Sequence, residues 1–393
     1  MFHTAVAAAL FSVTALVQPT PGGPERKTCK AADGVPIVYS AAGSGEPALV
    51  LIHGGFANRG FWDEQIRAFS PRHRVVALDL PGHGDSGADR KKWGMPEFGD
   101  DVRAVVEAEG LKKVVIFGNS LGGPVAVEAA LRLPDKVLGV VGIDTFQILF
   151  KQPVEYARGR AEAFRSDYAG SVKAMVKQLF HPDAPPALVA DAEQRMLHTP
   201  PEVAYQILLS MGDYDLPAAV GRLTVPLLAI NGDLYPTDLT NVRNVKPDFE
   251  VIVMKHMGHY PMLERPEEFD GLVSEVVAAL VRHGADGGPL RLAGALPPPK
   301  ARKEVHLTPV QLDRCVGRYE IAPGFVLTIT RDGERLVSQA TGQPTLEIFA
   351  ESESEFFVKV MDAQLSFDLK DPGPAKAVVL HQSGRDTPAK RLE

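Results

Sequence analysis

Two residues in this chain have the types and surroundings that nucleophilic chemistry requires. Ser120 stands at the centre of Gly118-Asn-Ser-Leu-Gly122, and His259 follows a glycine in the stretch KHMGHYPMLERPEEF. A serine hydroxyl is a poor nucleophile until a neighbouring base removes its proton, and histidine is the side chain that most often does so. Together they predict acyl transfer, with Ser120 as the nucleophile and His259 as the general base.

The same chemistry needs backbone N–H groups that stabilise an oxyanion. The stretch LVLIHGG ends a predicted strand in two glycines, which allow a close approach of the backbone to a substrate. The candidate donors are the amide of Gly55, or that of Phe56 in its place, and the amide of Leu121, which follows the candidate nucleophile.

The residues around Ser120 predict a sharp turn between a strand and a helix. Residues 114–117 are a short β-branched run, which is typical of a buried strand. From residue 124 to 133 apolar side chains recur at helical spacing, and Pro134 ends the pattern. Such a turn lifts the serine hydroxyl out of the sheet and above the positive end of the helix.

Strands and helices alternate along most of the chain. The apolar strand runs are continuous, which is typical of a parallel sheet covered by helices on both faces, so we predict an α/β fold with a doubly wound, mostly parallel sheet. Helical periodicity without a convincing strand predicts a helical lid inserted at about 146–222. Further strands are predicted in VPLLAINGD and FEVIVMKHMGH, followed by a helix at 266–283.

Composition shifts divide the chain into four parts. Residues 1–24 hold an apolar segment at 5–17 that fits a signal peptide and predicts export to the periplasm or outside the cell. The segment lacks Lys or Arg before it, so the alternative is a short hydrophobic arm on a cytoplasmic protein. Residues 25–283 form the α/β domain, 284–303 a Gly/Pro-rich linker and 304–393 a small all-β domain, either a barrel or a curled sheet.

The composition excludes several function classes. The net charge is −7 and no dense run of Lys or Arg occurs, which argues against nucleic acid as a partner and against an anionic membrane surface. No segment beyond the N-terminus predicts stable membrane insertion. Cys29 and Cys315 have no metal-binding spacing, and two free thiols are preferred over one disulfide. We therefore expect no metal and no organic cofactor.

Four motifs in this order resemble the α/β-hydrolase superfamily: LVLIHGGFANRGFWDEQI, VVALDLPGHGDSG, VIFGNSLGGPVAVEAALRLPDKV and KHMGHYPMLERPEEF. The resemblance covers about residues 35–283 and is closest to the serine esterase, haloperoxidase-like and C–C hydrolase branches. The tail from about residue 307 resembles the β-rich C-terminal domain of some β-lactamase-related serine hydrolases.

The resemblance leaves the acid of a Ser-His-Asp triad open. In that family an acid usually stands three residues after the glycine of the strand that precedes the histidine, and here Tyr235 occupies that position. Asp233, one residue after Gly232, is ranked first. Asp144, after the preceding strand, is ranked second, because an aspartate at a polar strand end is also common without a catalytic role. Asp238 is third.

The resemblance implies a carboxylesterase, of class EC 3.1.1, that acts on small-molecule esters with small or medium hydrophobic groups. Five aromatic residues are candidates either for its pocket or for the core: Phe56, Phe61, Trp62, Phe146 and Tyr260. One alternative is a C–C bond hydrolase or a cofactor-free haloperoxidase or perhydrolase, since the same triad serves all of them. Another is a non-catalytic ligand-binding scaffold, which the irregular acid position favours and the Ser120–His259 pair opposes. The oligomeric state is not predicted.

Overall fold

Eight strands form one mixed sheet in the N-terminal part of the chain. The computed structural model describes residues 23–382 and 384–392, so nearly all of the predicted leader at 1–24 lies outside the described residues, and export stays a prediction. The strands are β1 Glu25–Lys30, β2 Pro36–Ala42, β3 Ala48–Ile52, β4 Val75–Leu78, β5 Val114–Asn119, β6 Val137–Ile143, β7 Leu227–Gly232 and β8 Glu250–Met254.

The strand order is β1-β2-β4-β3-β5-β6-β7-β8. Strands β3 to β8 run parallel to one another, while β1 and β2 are antiparallel additions at the edge next to β4. Every residue of β3, β4, β5 and β7 is buried, as expected for strands covered on both faces. The carboxyl ends of β5, β6 and β7 therefore meet at one edge of the sheet, where side chains from the following loops come together.

Helices cover both faces of this sheet. Helices α2 (Met95–Ala108) and α3 (Gly122–Arg132) pack on one face, where Phe98 and Val125 enter the apolar cluster. Helices α1 (Asp63–Phe69) and α11 (Pro266–Asp286) pack on the other, through Phe69 and Val276. The predicted doubly wound sheet is confirmed.

Five helices occupy the chain between β6 and β7, where the sequence predicts a helical insertion. They are α4 Val154–Ser166, α5 Tyr168–Leu179, α6 Pro186–Met196, α7 Pro201–Asp213 and α8 Leu216–Gly221. Two short helices, α9 (Leu239–Val245) and α10 (Pro261–Glu264), follow β7 and β8 respectively. None of the helices in the described part of the chain is long and apolar enough to cross a membrane.

The C-terminal part is a closed antiparallel barrel, which confirms the predicted all-β domain. After the short helix α12 (Pro309–Asp313), its strands are β9 Gly317–Ala322, β10 Phe325–Asp332, β11 Arg335–Ala340, β12 Leu346–Ala350, β13 Glu355–Phe357, β14 Ala363–Phe367, β15 Ala377–Gln382 and β16 Arg385–Arg391. Buried apolar side chains fill the interior, among them Tyr319, Ile329 and Phe356.

The linker between the two parts is attached to the sheet. The backbone N–H of Leu296 donates to the carbonyl oxygen of Val251 at 2.8 Å, and Ala295 forms an antiparallel bridge with Ile252. The linker thus runs beside β8, the last strand of the sheet. Cys29 on β1 and the buried Cys315 before the barrel are both free thiols.

Candidate active site

Ser120 lies in the turn between β5 and α3 with a strained backbone. Its φ of +51° is in the left-handed region, which is uncommon for a residue with a side chain. The turn is tight because a Cβ on Gly118 would lie 2.1 Å from the carbonyl oxygen of Gly122. The Ser120 N–H donates to the carbonyl oxygen of Ile143 at 3.1 Å, which ties the turn to β6. The geometry is that of a nucleophile on a strand-to-helix elbow.

His259 follows β8, and its backbone is held on both sides. Its N–H donates to the carbonyl oxygen of Leu179 at 2.7 Å, and its own carbonyl accepts from Asn119 Nδ2 at 3.0 Å. The Glu264 carboxylate accepts from the N–H groups of Gly258 and Tyr260, each at 3.3 Å. The backbone of His259 is thereby held beside the Ser120 turn.

Asp144 is the carboxylate that faces His259. It follows β6 with φ +44°, and its Oδ2 lies 2.5 Å from His259 Nδ1. Its Oδ1 accepts from the N–H of Gly232 at 2.9 Å, and the side chain is only 1% exposed. A carboxylate at Nδ1 requires the proton on that nitrogen, which leaves Nε2 as an acceptor for a hydroxyl proton.

The side chain of Asp233, which the sequence ranks first as the acid of the triad, does not face His259. The chain turns after Gly232, so the Asp233 Oδ1 accepts from the N–H of Met257 at 3.1 Å. Although burial opposes ionisation, the N–H groups of Met257 and His256 lower the pKa of Asp233. The structure pairs His259 with Asp144 instead, contrary to the sequence ranking.

Asp238 and Tyr235 also lie away from His259. Asp238 caps α9 by accepting from the N–H of Asn241 at 2.8 Å, and its other oxygen accepts from the N–H of Asp362 in the barrel at 2.9 Å. The Tyr235 hydroxyl donates to the carbonyl oxygen of Gln178 at 3.0 Å. Both residues stabilise loops.

The candidate oxyanion donors Gly55, Phe56 and Leu121 line one cavity together with Ser120 and His259. Phe56 has φ +65° and is almost completely buried, as is Leu121. Among the described residues, no protein acceptor is bonded to the backbone N–H of Gly55, Phe56 or Leu121. Buried amides normally have an acceptor, so these three N–H groups are available to an anionic oxygen, and the choice between Gly55 and Phe56 stays open.

The cavity has a volume of about 540 Å³ and a mainly apolar lining. Helices of the insertion supply most of its wall, through Phe164 of α4, Met175 of α5 and Leu208 of α7. Of the aromatic candidates, Phe56 and Tyr260 line it, whereas the other three are buried outside its lining, namely Phe61, Trp62 and Phe146. The size and lining suit an organic substrate of modest length.

Two buried histidines lie near the turn that carries Gly55 and Phe56, and neither lines the cavity. His53 Nδ1 lies 2.7 Å from the carbonyl oxygen of Gly54, and His53 Nε2 accepts from the N–H of Leu80 at 3.0 Å. Burial lowers the pKa of His53 to about 4 and that of the adjacent His83 to about 3. Both rings are therefore neutral near pH 7, and His53 donates through Nδ1.

Asn119 and Glu264 are site residues that the sequence analysis did not single out. Asn119 Nδ2 bonds two carbonyl oxygens, those of Ile143 and His259, and so links the loops that carry Asp144 and His259. Glu264 also accepts from the N–H of His181 at 3.3 Å. Both side chains bond backbone groups, which every residue type provides. The sequence could therefore have indicated these two residues only by their position inside the motifs around Ser120 and His259.

No group of three or more His, Cys, Asp or Glu that could hold a metal ion occurs in the described residues.

The chain is similar to known proteins over most of its length. Residues 49–271 match the model of the alpha/beta hydrolase family, and residues 301–391 match a domain of unknown function, DUF3471. The pimeloyl-[acyl-carrier protein] methyl ester esterase of Neisseria meningitidis is 30% identical over 255 residues, which cover 61% of this chain and 93% of that protein.

Two further proteins extend the comparison. The dihydrolipoyllysine-residue acetyltransferase component of the acetoin cleaving system of Pseudomonas putida is 26% identical over 256 residues, covering 62% of this chain and 66% of that protein. A thermophilic esterase from Thermogutta terrifontis, solved with malate bound, has a TM-score of 0.58 and 24% identity, covering 66% of this chain and 99% of that chain. This chain belongs to the alpha/beta hydrolase family and is an enzyme of the esterase type.

Proposed function

We propose that the protein hydrolyses carboxylic esters through an acyl-enzyme on Ser120. One observation carries the proposal: Ser120 and His259 line the same cavity, and the Asp144 Oδ2 lies 2.5 Å from His259 Nδ1 behind it. This is the arrangement in which a histidine can accept a proton from serine while a carboxylate holds the ring.

In the first half of the reaction, His259 Nε2 takes the proton of Ser120 as the hydroxyl oxygen attacks the ester carbonyl. The oxyanion that forms accepts hydrogen bonds from the N–H of Leu121 and from that of Gly55 or Phe56, each typically contributing about 2.7–4 kcal/mol to the transition state. The ester C–O bond then breaks, and the leaving alcohol takes the proton from His259.

In the second half, water replaces the alcohol. His259 takes a proton from the water as it attacks the acyl carbonyl, and the carboxylic acid leaves as Ser120 recovers its proton. Asp144 holds the ring in place and stabilises the imidazolium that forms twice in each cycle.

The cavity supports small or medium acyl and alcohol groups as substrates. Its volume of about 540 Å³ and its lining by Phe164, Leu208 and Met211 favour apolar chains. The N. meningitidis relative is named for methyl ester hydrolysis, which supports an ester as the reacting group.

Hydrolysis of p-nitrophenyl acetate, butyrate and octanoate tests the proposal, together with labelling by a fluorophosphonate, which reacts with an activated serine. We expect Ser120→Ala to lose label and at least about 10³-fold in kcat. The control is Ser274→Ala, because Ser274 lies on α11 and its hydroxyl donates to the carbonyl oxygen of Asp270.

Undiminished turnover by Ser120→Ala would refute the proposal. A wild-type protein that neither takes the label nor hydrolyses any of the three esters would also refute it and favour a binding scaffold. A protein that takes the label but hydrolyses none of the esters would favour C–C bond hydrolysis.

A further inference from the structure

We propose that Arg160 makes part of the cavity a subsite for an anionic group, so that the preferred ester carries a carboxylate on its acyl chain. The inference rests on the proposed ester hydrolysis and specifies its substrate class. Tyr156, Arg160 and Phe164 are four residues apart on α4, and all three line the cavity. Residues at this spacing share one helix face, so Arg160 faces the same space as Phe164.

The charge of Arg160 is not compensated by the protein. Among the residues that the structure describes, none forms an ion pair with Arg160, whereas its neighbours on α4 are paired, Arg158 with Glu155 at 3.4 Å and Arg165 with Glu202 at 4.0 Å. Within the described part of the chain, no aspartate or glutamate lines the cavity. A substrate anion in the cavity can therefore pair with the Arg160 guanidinium.

The guanidinium is well suited to a carboxylate. It stays charged at any working pH and offers two parallel N–H donors, which match the two oxygens of a carboxylate. Ser171 and Gln178 of α5 supply further polar groups to the lining. The apolar residues beside them accommodate the methylene chain between the ester and the anion.

The test compares two p-nitrophenyl esters of similar acyl length, the monoester of glutaric acid and the uncharged pentanoate. The measured quantity is the ratio of their kcat/KM values. We expect Arg160→Gln to lower the ratio of glutarate to pentanoate by about tenfold or more, because the variant loses the charge-assisted hydrogen bonds that only the glutarate ester can make. The control is Arg158→Gln, which removes an exposed charge from the same helix and should leave the ratio unchanged.

The outcomes separate the two proposals. A ratio that is the same in Arg160→Gln and wild type, with both esters hydrolysed, overturns the subsite and leaves ester hydrolysis intact. An equal drop of the ratio in Arg158→Gln also overturns the subsite, because it shows a general effect of surface charge. If wild type hydrolyses neither ester and takes no fluorophosphonate label, both proposals fail.

An independent set of contacts assigns a role to the barrel: we infer that it positions the loop that carries Asp144. The barrel segment at 358–362, between β13 and β14, lies against α9 of the hydrolase domain. The N–H of Asp362 donates to Asp238 Oδ2 at 2.9 Å, and Asn244 Nδ2 donates to the carbonyl oxygen of Lys359 at 2.9 Å. The start and the end of α9 are thus both bonded to the barrel.

The start of α9 in turn holds the segment that follows Asp144. The N–H of Asp238 donates to the carbonyl oxygen of Gln147 at 2.7 Å, and the N–H of Leu149 donates to Asn241 Oδ1 at 2.6 Å. Asp144 itself has the strained φ of +44°, which persists only where surrounding contacts enforce it. A continuous series of hydrogen bonds therefore runs from the barrel through α9 to the loop of Asp144.

The substitution Asp238→Ser tests the bond to the barrel separately from the helix cap. A serine at a helix N-cap still accepts from the N–H of Asn241, but it is too short to keep the second bond to the barrel at Asp362. We expect kcat, divided by the fraction of protein that takes fluorophosphonate, to fall about tenfold while KM stays within about twofold, since small displacements of catalytic groups have effects of this size.

The control is Asp215→Ser, because Asp215 caps α8 by accepting from the N–H of Ala218 at 3.0 Å. This variant makes the same chemical change at a cap in the insertion and should not lower kcat. Equal kcat in Asp238→Ser and wild type overturns the inference, as does an equal fall of kcat in Asp215→Ser. A rise in KM without a fall in kcat also overturns it, because the contacts would then act on binding.

Discussion

Replacing Asp144 by asparagine should nearly abolish turnover without disturbing the fold. The Asp144 Oδ1 accepts from the N–H of Gly232, and an asparagine carbonyl can keep that bond. The NH₂ group of the asparagine would then occupy the position of the Asp144 Oδ2, which lies 2.5 Å from His259 Nδ1. An NH₂ group can only donate, so the ring would have to accept at Nδ1 and carry its proton on Nε2. That tautomer cannot take the proton of Ser120.

The expected loss of kcat in Asp144→Asn follows from the change of the His259 tautomer. An imidazole in the wrong tautomer lowers kcat by about 10⁴-fold in a Ser-His-Asp triad, which corresponds to about 5 kcal/mol of transition-state stabilisation. The backbone N–H groups that we propose as oxyanion donors are unaffected, so a residual rate above that of water should remain.

The assay is steady-state hydrolysis of p-nitrophenyl butyrate, with urea unfolding to confirm that the variant is folded. Asp233→Asn is the matched control, because Asp233 follows the neighbouring strand and its Oδ1 accepts from the N–H of Met257. An asparagine oxygen can keep that bond, so kcat should stay within about threefold. If Asp144→Asn keeps more than about a tenth of the wild-type kcat while Asp233→Asn loses 100-fold, Asp233 orients His259 and the argument is wrong.

Two predictions concern stability. Gly118→Ala should lower the free energy of unfolding in urea by about 3 kcal/mol, because the added Cβ would lie 2.1 Å from a backbone oxygen. The control is Gly271→Ala in the interior of α11, where a Cβ meets no atom of the described residues within 4 Å and should be neutral or stabilising. Equal effects of the two substitutions would contradict the close-packing argument. Burial lowers the pKa of His83 to about 3, below its unfolded value of about 6.5, so the stability that this neutral ring contributes is present above pH 6.5 and is lost as the pH falls toward 3. His83→Phe should therefore reduce the dependence of the unfolding free energy on pH between about 6 and 4 by up to about 1.4 kcal/mol per pH unit, and an unchanged slope would show that His83 does not set it.

The parts of the site that depend on neighbouring residues were predictable from the sequence. The glycines around Ser120 predict a tight strand-to-helix turn, and the continuous apolar strand runs predict a parallel sheet. The partner of His259 was not predictable in this way. Asp144 and Asp233 follow adjacent strands, and only the direction of the chain after Gly232 decides which carboxylate faces the imidazole.

Other features escaped the sequence because they depend on pairing or on backbone contacts. Strand β1, ERKTCK, is polar and largely exposed, so it lacks the apolar pattern of a strand and forms by pairing along β2. Closure of the barrel requires β9 to pair with β16, which no local pattern indicates. Glu264 stabilises the His259 loop by accepting hydrogen bonds from backbone N–H groups. Almost any residue type can supply such a group, so the sequence does not indicate these bonds.

The contact between the linker and β8 changes where the hydrolase domain ends. A chain truncated after α11 would lose Ala295 and Leu296 and leave the outer backbone groups of β8 unpaired. An exposed edge strand is a template for pairing with another chain, so such a protein should aggregate. A truncation after residue 300 removes the barrel but keeps this edge covered. The linker therefore protects the sheet from self-association as well as connecting two domains.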